Sequence, residues 1–226
     1  MKSLPKDLKV EIFAKVATSS MFDHCMVKLC CKEFLEAAED DHVYRHASME
    51  NIALVPLPWF RGDKQSWFVK RCRESGNSEI AYREGMVEYF SCSRGELGLK
   101  NLKKAALEGH EEAKYVYCML LMCGEDEGER KKGFQLFSSL NASTSVRRCT
   151  KRVKSFIRNM WLNHNYPAPQ NHKPSSFCRS PSCNISQNLS TTFSPFLDLD
   201  AHSIAISCQY CAADYQLALF RNIIRL

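Results

Sequence analysis

The chain has 226 residues, of which 45% are hydrophobic, 25% are charged and 12 are cysteines. This composition excludes a generally disordered chain, and the length allows either one large domain or two to three small ones. The first residues lack the apolar segment of a secretory signal, and the longest nearly uninterrupted apolar run, residues 115–123, is too short to span a bilayer. We therefore expect a protein of the cytoplasm or nucleus with no membrane partner, whose cysteines are thiols or metal ligands.

The net charge of +6 is divided unevenly along the chain. Residues 1–129 contain 18 Lys and Arg against 22 Asp and Glu, whereas residues 130–226 contain 13 against 3. No acidic residue occurs from Arg130 to Leu197. This pattern predicts either a basic recognition surface or a half that packs against its own acidic partner, and composition does not choose between the two.

Residues 3–34 open the chain with a helical pattern. Pro5 suits the first turn of a helix, and Leu8 and Ile12 follow on one face at a spacing of four residues. The break at residues 18–20 supplies a possible N-cap for a second helix. A third helix is predicted from about Lys32, with Phe34, Leu35 and Ala38 facing inward. Three helices of about ten residues form only a minimal core. The apolar surface of this stretch is larger than one small unit can bury alone, so we interpret the stretch as a docking element.

The string Leu4-Pro5-x-x-Leu8-x-x-Glu11-Ile12, followed by Cys31-Lys32-x-Phe34, resembles the F-box. The F-box is the helical module by which substrate receptors attach to the Skp-type adaptor of cullin–RING (SCF) ubiquitin ligases. The resemblance implies a three-helix F-box over residues 1–48. It also implies a set of adaptor-binding residues, namely Leu4, Pro5, Leu8, Ile12, Leu29, Cys31 and Phe34. The alternative is an ordinary amphipathic helix that begins with proline.

An internal repeat follows within the predicted helical region, residues 49–162. The segment Gly98–Ala105 recurs as Gly133–Leu140, at a spacing of 35 residues, and an alanine-led helix precedes each copy. Small residues let two helices approach closely while neighbouring aromatic residues fill the groove, so the repeat predicts antiparallel helix pairs. A generic helical bundle with chance periodicity is the alternative.

The string Leu102-x-x-Ala105-Ala106-x-x-Gly109-His110-x-x-Ala113 resembles the Sel-one-like branch of the tetratricopeptide repeats. We place Gly109 at the turn between two repeat helices, with a positive φ. An F-box followed by such helices is similar to a plant family of small F-box proteins with a tetratricopeptide-like region.

Residues 146–161 predict an amphipathic helix with a basic outer face. Its apolar residues lie on one stripe, and Arg or Lys occupies positions 147, 148, 151, 152, 154 and 158. This face would suit nucleic acid or an acidic partner. The alternative is a purely structural role, as a helix that caps the repeats and exposes its basic face to solvent.

A proline-rich linker over residues 163–176 leads into a cysteine-rich module, residues 177–226. Its cysteines form two closely spaced pairs, Cys178 with Cys183 and Cys208 with Cys211. Two short loops that carry paired cysteines are typical of a structural zinc site, so we predict one zinc ion held by these four residues. The alternatives are unmetallated thiols, a redox Cys-x-x-Cys motif, or a site in which His172 or His202 replaces Cys183 or Cys178. A strand is expected at residues 203–207.

The sequence thus predicts a mainly α protein without catalytic residues of its own. The leading interpretation is a substrate-receptor subunit of an SCF ubiquitin ligase, which binds a Skp-type adaptor and the cullin complex through the F-box and a protein target through the repeats. The runner-up is a zinc-containing, nucleic-acid-associated regulatory protein, although a nucleic-acid partner is less expected.

Overall fold

The structure is a computed structural model that describes residues 4–54, 63–141, 145–160, 177–180, 183 and 208–224. These parts of the chain are mainly helical and contain no strand, in agreement with the predicted mainly α fold. None of their helices is long and apolar enough to cross a bilayer. The helices are α1 (Lys6–Ser19), α2 (Met21–Cys30), α3 (Lys32–Ala38), α4 (Asp41–His46), α5 (Asp63–Glu74), α6 (Ser78–Phe90), α7 (Gly95–Leu107), α8 (Glu111–Cys123), α9 (Glu127–Asn141), α10 (Ser145–Arg158) and α11 (Gln209–Ile224).

The chain divides into two compact units, residues 1–85 and residues 86–226, and the boundary lies within α6. The bounds of the predicted regions, 1–48, 49–162, 163–176 and 177–226, remain a prediction. Both the predicted linker and the strand expected at residues 203–207 lie outside the described residues, as do His172 and His202.

Local sequence determines where the first two helices begin. The helix α1 begins directly after Pro5, whose φ of −54° is compatible with a helix start and whose missing N–H removes no helical hydrogen bond. Ser20 interrupts the helix with an extended backbone. Its hydroxyl oxygen accepts a hydrogen bond from the N–H of Asp23 at 3.1 Å, which confirms the N-cap predicted for α2.

The core of the first unit combines small and aromatic residues. Ala17 on α1 and Ala38 on α3 are fully buried, which lets the short helices approach each other closely. Phe13 packs edge-on against Phe34 with 5.1 Å between the ring centroids, and Tyr44 is fully buried on α4. The short helix α4 packs along α1 and extends the predicted three-helix arrangement.

A buried arginine fastens the segment that follows α4. The guanidinium of Arg83 donates hydrogen bonds to the backbone carbonyls of Met49 and Ile52, each at 2.9 Å, and of Ala53 at 3.2 Å. Glu79, one helical turn earlier, pairs with Arg83 at 2.7 Å. Carbonyls outside a regular helix need partners when they are buried, and the planar guanidinium supplies several donors at once.

In the second unit, α8 and α9 pack together at a glycine. A Cβ atom added to Gly133 would lie 2.9 Å from the backbone oxygen of Cys118 and 2.9 Å from the side chain of Leu121. Any larger residue would therefore force the two helices apart. This is the close approach that the small residue of the repeat predicts.

The turn between α7 and α8 confirms a second prediction. Gly109 has a φ of +91°, a conformation that glycine adopts at low cost. The N–H of His110 donates to the carbonyl of Ala105 at 3.0 Å and so completes the end of α7. The imidazole Nδ1 of His110 accepts from the N–H of Ala113 at 3.1 Å and caps α8.

The helix α11 packs against α8, α9 and α10. The ring of Phe220 is fully buried and lies edge-on to Tyr115, with 6.1 Å between the centroids. The amide oxygen of Gln216 accepts from the hydroxyls of Tyr115 at 3.3 Å and Thr150 at 3.4 Å. The C-terminal helix thus shares its core with the repeat helices.

Candidate docking surface and metal centre

Both sides of α1 carry apolar residues, but one side is buried in the core and the other is exposed to solvent. Phe13, Ala14 and Ala17 face the core and are buried. Leu8 and Ile12 lie on the other side of the helix and are 53% and 47% exposed. Helical geometry explains the separation, because positions 8 and 12 point about half a turn away from positions 10, 13 and 17.

The helix α2 also exposes apolar residues. His24 is its one buried residue, while Phe22, Met26 and Leu29 occupy an i, i+4, i+7 stripe and face solvent. Leu29 is 78% exposed. A helix that buries so little of itself in its own unit has most of its surface available to a partner. We use the term N-terminal apolar face for Leu4, Leu8, Ile12, Phe22, Met26, Leu29 and Leu35, all of which are exposed.

Six of the seven predicted adaptor-binding residues are exposed, and the seventh is half-buried. Leu4, Leu8, Ile12 and Leu29 belong to the N-terminal apolar face, and Pro5 and Cys31 are exposed beside it at the starts of α1 and α3. Phe34 is half-buried against the core, so its ring supports the position of α1. Whether any of the seven contacts an adaptor remains a prediction.

Two expectations within this unit were incomplete or wrong. Leu35, expected to face inward, is 42% exposed because Phe34, Ala37 and Ala38 supply the buried side of α3. Phe22 and Met26, which are exposed, were not among the predicted contact residues. Their spacing from Leu29 was the available signal.

Ion pairs hold the helices that carry the N-terminal apolar face. The Lys9 ammonium pairs with Glu33 at 2.7 Å, which joins α1 to α3. The Lys28 ammonium pairs with Glu39 at 2.7 Å and lies 4.8 Å from the centre of the Tyr44 ring. Contacts to a carboxylate and an aromatic face fix Lys28 more firmly than a single surface pair would.

His24 is buried below this surface without hydrogen-bond partners for either ring nitrogen within the described structure. The ring lies edge-on to Tyr44, with 5.6 Å between the centroids. Burial, and secondarily the Lys28 charge, lowers the pKa of His24 to about 4. The imidazole is therefore neutral near pH 7.

The second candidate site lies at the start of α11. The sulfur atoms of Cys178, Cys183, Cys208 and Cys211 all lie within 4.8 Å of one another. Zn–S bonds of about 2.3 Å in a tetrahedron require sulfur separations of about 3.8 Å, so a small inward movement would complete the geometry. Four soft sulfur donors fit a structural zinc ion.

The electrostatics of the four thiols also fit a cation. The backbone N–H of Cys211 donates to the sulfur of Cys208 and lowers the pKa of Cys208 to about 7. Burial and the neighbouring thiols raise the pKa of Cys211. A divalent ion would displace the thiol protons and offset the repulsion among the thiolates that result.

Aromatic and polar contacts attach this cysteine cluster to α9 and α11. The ring of Phe134 on α9 stacks on Phe177 at 5.3 Å and on Tyr210 at 4.9 Å between centroids. The guanidinium of Arg130 lies 4.8 Å from the centre of the Phe177 ring. The Asp214 carboxylate accepts from the N–H of Phe177 at 2.9 Å and from that of Cys178 at 3.0 Å. The cysteine spacing could not have revealed this attachment.

The described parts of the chain thus define a helical-repeat protein with an exposed apolar face on its N-terminal helices. A family profile for plant tetratricopeptide repeats matches residues 52–158.

Three Arabidopsis thaliana proteins named as F-box proteins are similar to the chain. One is 34% identical over 140 residues, which is 62% of this chain and 46% of that protein. A second is 31% identical over 140 residues, or 62% of this chain and 82% of that protein. A third is 25% identical over 146 residues, or 64% of this chain and 43% of that protein. No solved structure matches the chain.

The chain belongs to the F-box proteins, in a form that carries plant tetratricopeptide-like repeats. This confirms the family that the sequence motifs suggested. The chain spans less than half the length of two of the three relatives.

Proposed function

We propose that the chain is a non-catalytic substrate-receptor subunit of an SCF ubiquitin ligase. It docks on a Skp-type adaptor through the N-terminal apolar face and presents a protein target through its helical repeats. Such a receptor acts in the cytoplasm or nucleus, and ubiquitin transfer is carried out by other subunits of the complex.

The exposure of the N-terminal apolar face carries this proposal. Seven large apolar side chains within residues 4–35 are between 42% and 78% exposed, although the same helices have their own core. Burial of apolar surface contributes about 25 cal/mol per Å², so a partner that covered several of these side chains would gain several kcal/mol. A solvent-exposed surface of this kind marks an interaction site.

Co-purification with a Skp-type adaptor tests the proposal. The variant with Leu8→Ala and Ile12→Ala should lose adaptor binding, because two apolar anchors leave the interface. The matched control carries Leu97→Ala and Leu107→Ala, which shorten two exposed leucines of α7 in the other unit. Undiminished binding by the first variant, or equal loss by both, would contradict the proposal.

We also propose that Cys178, Cys183, Cys208 and Cys211 hold one structural zinc ion. The convergence of the four sulfur atoms supports this assignment. When bound, zinc would cross-link the two cysteine pairs and leave no coordination position open for catalysis. The chain's own residues would hold the cysteine segments in place, through the Asp214 carboxylate and the stacked rings of Phe177, Phe134 and Tyr210.

Metal analysis of freshly purified, reduced protein should find about one zinc per chain. Cys211→Ser should remove most of it. Cys149→Ser should retain it, because Cys149 is a separate, buried residue of α10 whose pKa is raised to about 12 by burial. Loss of zinc from both variants, or its absence from the unaltered protein, would reject the four-cysteine assignment.

A further inference from the structure

Two histidines lie one turn apart on the short helix α4. His42 and His46 occupy positions i and i+4, so helical geometry places both on the same side of the helix. Their rings are 4.5 Å apart between centroids. The His42 side chain is 38% exposed, and His46 is also exposed. Solvent therefore reaches both imidazoles, and neither ring fills the core of the first unit.

A hydrogen bond determines the tautomer of His46. Its Nδ1 atom lies 2.8 Å from the carbonyl oxygen of His42. A carbonyl oxygen can only accept a hydrogen bond, so Nδ1 of the neutral ring carries the proton and Nε2 carries the lone pair. Histidines that bind metals commonly donate their second ring N–H to a carbonyl in this way, which orients the ring and makes the ligating nitrogen more basic.

A carboxylate from α1 supplies a third donor atom. The Oε1 atom of Glu11 lies 3.2 Å from Nε2 of His42, and the Glu11 side chain is 61% exposed. Two donors bound to one zinc ion at a tetrahedral angle lie about 3.4 Å apart, and two imidazoles bound through Nε2 have ring centres about 5 Å apart. The observed separations are close to these values. Modest changes in side-chain torsion angles would therefore bring the three donors to one ion.

Backbone contacts hold the end of α4 against α1. The hydroxyl of Thr18 donates to the carbonyl of His46 at 2.9 Å. The N–H of Ser48, just after α4, donates to the carbonyl of Ala17 at 2.8 Å. Both helices belong to the first compact unit, where they pack on each other. The supports of the three donors are thus fixed before an ion arrives, which lowers the entropy lost on binding.

We propose that Glu11, His42 and His46 bind a zinc ion that is separate from the one assigned to the cysteine cluster. Two imidazoles and a carboxylate suit Zn²⁺, whereas Mg²⁺ and Ca²⁺ prefer oxygen ligands. Water would fill the remaining position of this exposed site, so the ion exchanges readily and is lost during purification. When bound, it would link α1 to α4 and so fix the helix that carries Leu8 and Ile12. The inference does not depend on the proposed receptor function.

Equilibrium dialysis of the full chain against zinc buffers tests this site. As free zinc rises, the unaltered, reduced protein should take up about one zinc ion in addition to any that it retains after purification. Glu11→Gln and His46→Gln should each weaken this uptake at least about tenfold, because each removes a ligand. The matched control Glu36→Gln removes a carboxylate charge from an exposed position of α3 and should change the uptake by less than about threefold.

Hydrogen exchange gives a second, local measurement. At a free zinc concentration ten times the dissociation constant, exchange in α1 and α4 should slow by about tenfold in the unaltered protein and remain unchanged in His46→Gln. Because the substituted side chains are exposed, melting curves recorded with a chelator should match that of the unaltered protein. Cys211→Ser should keep the additional ion, since Cys211 belongs to the other compact unit.

Three results would overturn the inference. The first is that the unaltered protein takes up no additional zinc. The second is an equal loss of uptake in Glu11→Gln and Glu36→Gln, which would show that charge alone attracts the ion. The third is that Cys211→Ser abolishes the additional uptake, which would assign that ion to the cysteines.

Discussion

The ring of Phe134 lies parallel to that of Tyr210, with 4.9 Å between the centroids and an interplanar angle of 1°. Phe134 belongs to a repeat helix, whereas Tyr210 lies between two of the clustered cysteines. The stack therefore connects the candidate metal centre directly to the repeat. Because α11 also packs on α8, α9 and α10, the cysteine cluster and the repeat helices share one core.

Metal removal should accordingly disturb more than the cysteine segments. Treatment with a zinc chelator should speed amide hydrogen exchange in α11 and at its contacts on α8 and α9 by about tenfold or more, because these helices pack on one another. Peptides from α1–α4 should be unaffected, since they belong to the other compact unit. Cys211→Ser should reproduce the pattern. Faster exchange confined to residues 208–224 would show that the repeat does not depend on the cluster.

The two sides of α1 should respond differently to truncation. Leu8→Ala with Ile12→Ala should change the free energy of unfolding of the isolated chain by less than about 1 kcal/mol, because both side chains are already half exposed. Phe13→Ala should lower it by about 3–5 kcal/mol, since Phe13 is buried against Phe34. Chemical denaturation followed by circular dichroism measures both changes. Equal destabilisation would mean that the assignment of the two faces is wrong.

Two glycines should differ in their response to alanine. At Gly109 no atom of the described residues lies within 4 Å of an added Cβ, so Gly109→Ala should cost only the strain of a φ of +91°, about 1 kcal/mol. At Gly133 an added Cβ would collide with Cys118 and Leu121, so Gly133→Ala should cost about 1–3 kcal/mol and shift α9 relative to α8. Gly128→Ala on the same helix, where the nearest atom is a flexible side chain, serves as control. A lower melting temperature for Gly109→Ala than for Gly133→Ala would contradict this assignment.

His24 should make the N-terminal unit sensitive to mild acid. Its folded-state pKa of about 4 lies below the ordinary value of 6.5, so the unfolded chain binds a proton between these values and the folded chain does not. The free energy of unfolding should therefore be highest above pH 6.5 and fall by about 2 kcal/mol between pH 7 and pH 5. Hydrogen exchange of α1–α4 measures this change locally.

His24→Leu should remove most of that pH dependence. The substitution eliminates the titrating group and two ring nitrogens that have no hydrogen-bond partner in the part of the chain that the structure describes. His46→Gln, which changes an exposed histidine, is the control and should retain the dependence. A similar acid response in both variants would assign the effect to titrating groups other than His24.

The sequence alone determined the features that depend on neighbouring residues. The N-cap at Ser20, the start of α1 after Pro5 and the left-handed turn at Gly109 follow from the backbone chemistry of single residues. The repeat was visible because helix pairs need small residues at fixed intervals. The family was recognisable for the same reason, since its motifs combine these local signals.

Only the tertiary structure decided which surfaces are buried. Both sides of α1 are apolar, so spacing could not tell whether Phe13 or Leu8 enters the core, and packing against α3 and α4 settled that question. The hydrogen bonds of Arg83 and the stack of Phe134 on Tyr210 join residues that are distant in sequence. The burial of His24 depends on the mutual orientation of helices. Such contacts form only when the helices of a unit pack together, because no local pattern specifies which helices will meet.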